Sequence, residues 1–196
     1  MKNPRYKNNF EVTIHPDLIE KPLQWKSSKI IFVNSMSDLF HEEVDFEYIK
    51  SIFEIMSKAN QHTFQILTKR AERLAELAPH LPWTDNIWQG VTVENDKYLH
   101  RIEKLKQVPA KIRFISFKPL IGPISYLSLD KIHWVIVGGE SGPKARSMDP
   151  EWVRKIRSVC LAQKVPFFFK QWGGVQKKKN GRTLDNKTWD EYPLKV

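Results

Sequence analysis

Six short apolar segments recur along the chain, and their regular separation constrains the fold more than any other feature. Each is a nearly continuous run of β-branched and aromatic residues, which is typical of strands in a parallel sheet that is covered on both faces. Because helix-like stretches separate them, the pattern predicts repeated strand–helix units. The predicted strands are residues 29–34, 63–68, 87–93, 112–116, 133–137 and 166–170.

Several of the intervening stretches have apolar residues at steps of three and four, the spacing of an amphipathic helix. The clearest helix follows the fifth strand, because Asp149 can cap it and Pro150 suits its first turn. The link over residues 119–130 is short and has room for only a helical turn. The apolar sets are Phe46, Ile49, Phe53 and Met56; Tyr98, Ile102 and Leu105; and Trp152, Val153, Ile156, Val159 and Cys160.

Two α/β architectures suit this order, an open doubly wound sheet and a β/α barrel. No glycine-rich dinucleotide-binding motif follows the first strand, which weakens a dinucleotide-binding interpretation. Six units are too few for a closed eight-stranded barrel but suit a partial (β/α) barrel of about six parallel strands whose first unit is missing. We expect a single domain over residues 1–196, with an irregular segment at 1–28 and a hairpin-like extension at 175–196 that turns at Gly181.

The cysteine count and the hydropathy exclude several classes of protein. Cys160 is the one cysteine, so the chain cannot contain a disulfide framework. No apolar run approaches the roughly 20 residues of a membrane helix, and the first residues lack the apolar region of a signal peptide. These features predict a cytoplasmic protein without membrane contact.

The chain is basic, with 32 lysines and arginines against 22 acidic residues and a formal charge of +10. Such a charge suits nucleic acid or another polyanion, and equally a solvated basic surface. A host protein is an alternative partner, and the oligomeric state stays open. The positive residues are dispersed apart from Lys177, Lys178 and Lys179, a run that indicates a basic hairpin turn.

Polar residues follow every predicted strand, and ligands of parallel α/β folds bind at those carboxyl ends. These residues are therefore the candidate binding residues, with no catalytic role assigned and no metal-ligand spacing among the histidines. The candidates are Asn34, Ser35, Asp38, Thr68, Lys69, Arg70, Thr92, Glu94, Asn95, Gly138, Gly139, Glu140, Ser141, Lys170 and Gln171, with Ser37, Ser116, Lys118 and Trp172 beside them.

The sharpest candidate motif is Gly138-Gly139-Glu140, directly after the fifth strand. Two glycines let a ligand approach the backbone and allow consecutive amides to point at an anion. Glu140 could bind an ammonium group or a hydroxyl. Thr68, Lys69 and Arg70 could hold a phosphate or carboxylate. A flexible turn with a solvated Glu140 and first-turn surface residues are the alternative interpretations.

Nine motifs resemble a phage protein family of unknown function that is named after gene products 37 and 68. The resemblance covers nearly the whole chain and implies a barrel like that of radical S-adenosylmethionine enzymes. The matching segments are residues 3–6, 32–41, 67–70, 90–95, 119–124, 134–142, 148–150, 168–174 and 188–191.

Two departures from that family bear on activity. The resemblance implies a preceding unit with a three-cysteine cluster, which is absent here, and an acidic residue where this chain has Lys118. A [4Fe–4S] cluster needs three thiolates, so no cofactor is expected for this chain alone. S-adenosylmethionine and the cluster are expected only if the missing unit exists, although Asp38, Glu94 and Glu140 could retain residual cofactor binding.

Three hypotheses follow from these observations. The first is a truncated radical-SAM-like enzyme of phage or prophage origin, inactive as this chain alone. The second is a non-enzymatic basic protein that binds nucleic acid or a host protein, which Lys118 and the lysine run favour. The third is a structural relic without function.

Overall fold

The computed structural model describes residues 11–34 and 37–193, with the backbone alone at 177 and 178. Within these residues, six parallel strands form a curled half-barrel sheet in the order in which they occur along the chain. This arrangement confirms the predicted α/β partial barrel. The strands are β1 (Ile30–Val33), β2 (Thr63–Thr68), β3 (Ile87–Thr92), β4 (Arg113–Phe117), β5 (Trp134–Gly138) and β6 (Phe167–Gln171).

Helices pack on the outer, convex face of this sheet and bury its larger apolar cluster, which includes Ile49, Ile66, Val91 and Val153. The cap predicted at Asp149 is confirmed, because its carboxylate accepts a 2.8 Å hydrogen bond from the Glu151 amide. The helices are α1 (Phe46–Lys58), α2 (Ala71–Leu77), α3 (His100–Leu105) and α4 (Pro150–Ala162).

Two connections differ from the sequence expectation. Helix α2 was not among the helices that apolar spacing predicted, since its two turns bury only Ala71 and Leu74. Residues 119–130 cross between β4 and β5 without a helix. Leu120 and Ile124 are buried there and pack into the main cluster, so this link contributes core side chains in place of a helix.

A second apolar cluster lies on the inner, concave face, where Trp88, Phe114 and Trp134 are covered. The Phe114 ring lies over Gly90, in the space that a side chain there would need. The C-terminal segment runs across the strand starts, because the Trp134 indole N–H donates to the Glu191 carbonyl at 2.9 Å. The Tyr192 ring then packs 4.4 Å from the Trp134 ring, centroid to centroid. The concave face is therefore filled where β3, β4 and β5 begin.

The structure contains the predicted C-terminal hairpin, but the prediction that it turns at Gly181 is wrong. Strands β7 (Thr183–Leu184) and β8 (Lys187–Thr188) pair antiparallel. Asp185 and Asn186 form the turn with φ of 51° and 61°, the left-handed backbone that a two-residue hairpin needs and that Asp and Asn tolerate. Gly181 instead ends a short helix, α5 (Lys177–Asn180), so the lysine run does not form the predicted basic turn.

Among the residues that the structure describes, no helix is both long and apolar enough to span a membrane.

Candidate functional site

The parallel pairing brings the carboxyl ends of β1 to β6 to one edge of the half-barrel. Asp38, in the loop after β1, contacts the end of β2 through both carboxylate oxygens. One oxygen accepts the Thr68 hydroxyl at 2.7 Å, and the other accepts the Lys69 amide at 3.0 Å and an Arg70 guanidinium N–H at 3.2 Å. The first two predicted groups therefore form one hydrogen-bonded cluster.

Asp38 also caps its own loop by accepting the Phe40 amide at 3.0 Å. Arg70 completes the cluster by donating to Glu42 at 2.8 Å. The hydrogen bond from Arg70 lowers the pKa of the Glu42 carboxyl below its ordinary value. Asp38 thus stabilises the turn of its own loop, and its charge is balanced by Arg70.

Glu94 is only 8 % exposed and lies between two cations after β3. Its oxygens contact the Lys69 ammonium at 2.9 Å and the Arg101 guanidinium at 3.0 Å. Arg101 is itself held in place, because it donates to the Thr92 carbonyl at 2.8 Å and stacks 4.2 Å from the centroid of the Tyr98 ring. The buried carboxylate is therefore neutralised within the protein.

Glu140 has the same kind of internal partner after β5. Arg146 donates to it three times, from the guanidinium at 2.9 and 2.6 Å and from the backbone amide at 2.9 Å. These hydrogen bonds lower the pKa of the Glu140 carboxyl to about 2. Glu140 is therefore ionised at neutral pH and already occupied by a guanidinium, where the sequence suggested a ligand ammonium or hydroxyl.

Gly138 and Gly139 allow the backbone after β5 to pack closely against the backbone at residues 171–172. The Gly139 amide donates to the Gln171 carbonyl at 3.0 Å and so does not point at an open site. A Cβ on Gly139 would overlap the Trp172 carbonyl group, 2.8 Å from its carbon, so only glycine permits this approach. A Cβ on Gly138 would lie 3.4 Å from side-chain atoms of both Lys118 and Lys170. Gly138 therefore leaves space between two lysines.

The remaining predicted residues take local roles at the same edge. Asn34 ends β1 with φ of 55°, and Asn95 caps the turn after β3 by accepting the Lys97 amide at 3.0 Å. The Gln171 amide donates to the Ser141 hydroxyl at 2.7 Å. Thr92 and Ser116 are buried, while the Trp172 indole N–H donates to the Thr183 carbonyl. Ser35 lies outside the described residues.

Sequence reasoning did not identify the cations that occupy the carboxylates, namely Arg101 and Arg146. The available signal was spacing along the chain, since each arginine follows its glutamate by six or seven residues in the same connection. The exposed Lys170 comes in addition to these balanced pairs. The arrangement therefore presents excess positive charge at the strand ends and is suited to an anion.

Other parts of the described structure are weaker candidates for a functional site. Among residues 11–34 and 37–193, no group of three or more His, Cys, Asp or Glu could hold a metal ion. A groove of about 430 Å³ lies away from the strand ends, between the N-terminal segment and α1. Its walls carry residues of both charges, including Asp17, Lys21, Glu54 and Lys58.

Comparison with known proteins gives one match. The family model described as "Protein of unknown function (DUF5131)" matches residues 1–193. No curated protein matches the chain, and no solved structure matches it.

The close approach at Gly139 can be tested by adding one methyl group. We expect Gly139→Ala to lower the free energy of unfolding by roughly 3 kcal/mol, because the new Cβ meets backbone that cannot rotate away. Gly138→Ala is the matched control and should change stability by less than about 1 kcal/mol, since its neighbours are lysine side chains. Urea unfolding measures both, and equal effects would contradict the assigned packing role.

The Glu140–Arg146 pair can be tested by titration. Carboxyl carbon NMR should give a pKa for Glu140 of about 2. Arg146→Gln removes the largest cause of the lowering, the guanidinium hydrogen bonds, and should raise that pKa towards the ordinary glutamate range. Arg146→Lys keeps the charge and should give an intermediate value. A normal Glu140 pKa in the wild type would show that the pair does not form in solution.

Proposed function

We propose that this chain, which belongs to the DUF5131 family of proteins of unknown function, binds the phosphate groups of nucleic acid at the carboxyl ends of its strands. The observation that carries the proposal is the charge arrangement there. Asp38, Glu94 and Glu140 are each paired with a cation of the protein itself. Because of this pairing, none of these three carboxylates is free at the edge, and the exposed Lys170 adds a positive charge there.

Lys170 supplies the binding charge in this proposal. It lies at the carboxyl end of β6, beside Gly138, which has no side chain. The Lys170 side chain is exposed and has no acidic partner in the part of the chain that the structure describes. Lys69 can add a further contact, because its side chain is 55 % exposed and an ammonium with three donors exceeds the need of Glu94.

The ligand class follows from the charge of the whole chain. A small anion would need only the local lysines, whereas a formal charge of +10 spread along the sequence favours a ligand with many negative charges. Nucleic acid provides a line of phosphates that can contact such dispersed cations. A host protein with an acidic surface is the alternative partner.

We also propose that the fold is kin to the barrel of radical S-adenosylmethionine enzymes and that the family is of phage or prophage type. The sequence resemblance and the sequential order of parallel strands support this kinship. A cytoplasmic location belongs to the same proposal and is supported by the single cysteine.

The residues present do not fit the iron–sulfur cluster of those enzymes. The chain has one thiol, Cys160, and it is fully buried on the core side of α4. Burial raises the pKa of that thiol to about 12, so it is protonated at neutral pH. We therefore propose that residues 1–196 alone do not carry out radical chemistry.

Nucleic-acid binding can be tested by substituting one lysine near each end of the β-strand β6. Fluorescence anisotropy with a labelled oligonucleotide should give an affinity that falls linearly with the logarithm of the salt concentration. Lys170→Gln, at the carboxyl end of β6, should weaken binding and reduce that slope by about 0.7 to 0.9. Lys164→Gln is the control, because this exposed lysine precedes β6 at the opposite edge.

Two results would contradict the proposal. One is the absence of binding at low salt. The other is an equal loss for Lys170→Gln and Lys164→Gln, which would indicate nonspecific attraction to a basic surface rather than a site at the strand ends.

The proposed absence of a cluster can be tested separately. After anaerobic reconstitution with iron and sulfide, we expect iron well below four atoms per chain and no charge-transfer absorption, because three thiolates are required. Cys160→Ala should leave the result unchanged. Stoichiometric iron in the wild type would contradict the proposal.

A further inference from the structure

We infer that the nucleic acid bound by this chain is single-stranded and that one of its bases stacks on an open aromatic face formed by Ile30, Phe32 and Tyr192, with Gln65 buried beside them. The inference rests on the proposed function and names its ligand more narrowly. Within the residues that the structure describes, the open aromatic face is the exposed part of the concave side of the half-barrel, along β1 and beside Tyr192.

These side chains share one surface. Phe32 and Gln65 are direct partners in the parallel pairing of β1 and β2, so their side chains project from the same face of the sheet. The Gln65 amide nitrogen contacts the Tyr192 hydroxyl. The Tyr192 ring continues into the covered cluster through Trp88 and Trp134, at centroid distances of 5.6 and 4.4 Å.

Exposure changes abruptly along this aromatic layer. The concave residues Trp88, Phe114 and Trp134 are at most 3 % exposed, whereas Ile30, Phe32 and Tyr192 are 58, 46 and 38 % exposed. Apolar side chains on the inside of a half-barrel normally gain stability by being covered. The open aromatic face is therefore the part of the layer on which a flat apolar ring can be accommodated.

The chemistry of the face and of its surroundings selects a nucleobase. Aromatic rings provide stacking surfaces, and the Tyr192 hydroxyl, which accepts a hydrogen bond from the buried Gln65 amide, can donate to a base edge. Lys69 follows Gln65 by four residues along β2, roughly 13 Å at the rise of a parallel strand. A cationic groove next to an aromatic surface is the combination that single-strand-binding proteins use.

A duplex does not match this combination. Its bases are stacked on one another, so their ring faces cannot reach Phe32 or Tyr192, and only its phosphates could be contacted. An unpaired strand can place a base on the open aromatic face while its neighbouring phosphates meet the lysines at the strand ends. The structure thus favours single strands over duplexes of equal charge.

The test compares probes that differ in bases but not in charge. The probes are a single-stranded oligothymidine of about 12 nucleotides, a duplex with the same number of phosphates, and inorganic polyphosphate of matched charge. Wild-type protein should bind the single strand roughly ten-fold more tightly than either of the other two. Phe32→Ala should abolish that excess and leave polyphosphate binding unchanged, whereas Phe32→Tyr should retain it.

Leu161→Ala is the matched control for removal of an exposed apolar side chain, because Leu161 lies on α4 and is 52 % exposed. It should change none of the three affinities. Urea unfolding of each variant separates lost binding from lost structure. If Phe32→Ala unfolds, Phe32→Leu, which keeps an apolar side chain without a ring, replaces it and should lose the same excess.

The outcomes separate the two proposals. Binding of all three probes with equal affinity, or equal loss of all three in Phe32→Ala, would overturn the stacking inference and leave phosphate binding intact. Binding of none of the probes would overturn phosphate binding itself. Self-association of the free protein that Phe32→Ala abolishes would also overturn the inference, since the open aromatic face would then be an interface between copies.

Discussion

Sequential pairing of parallel strands is the constraint on which the other features depend. A parallel strand has its helix or loop connection outside the sheet, so every carboxyl end lies at the same edge. Residues far apart in the chain therefore meet there, as Asp38 does with Thr68 and Glu94 with Lys69. The convex face is left to the helices, and the concave face must be covered by side chains and by the C-terminal segment.

The distribution of charge at that edge follows from the cost of burying a carboxylate. An ionised carboxyl group removed from water needs hydrogen-bond donors or a cation. Glu94 is buried and obtains Lys69 and Arg101, and Glu140 obtains Arg146. Because these acids are paired internally, they are not available to bind a ligand cation. A prediction that treats each carboxylate separately as a ligand-binding group does not account for these internal ion pairs.

The concave face shows how one sheet can combine stability with a binding surface. Near the strand starts, Trp134 is fixed by its hydrogen bond to the Glu191 carbonyl and by contact with the Tyr192 ring. Towards β1 the covering ends, and Phe32 remains half exposed. The covered part supplies the apolar burial that holds the half-barrel together, and the exposed part is where we propose that a base stacks.

The strands and the main helices could be predicted from the order of residues alone, because apolar periodicity is a local property. The strand segments and the Asp149 cap were predicted to within a residue or two, and a parallel sheet follows from the alternation of strands and helices. The contacts of each polar residue became known only from the three-dimensional structure. The pairing of Glu94 with Arg101, the approach of Gly139 to Trp172 and the turn at Asp185 depend on packing between segments. A local stretch of sequence does not specify which residues of distant segments its side chains will contact.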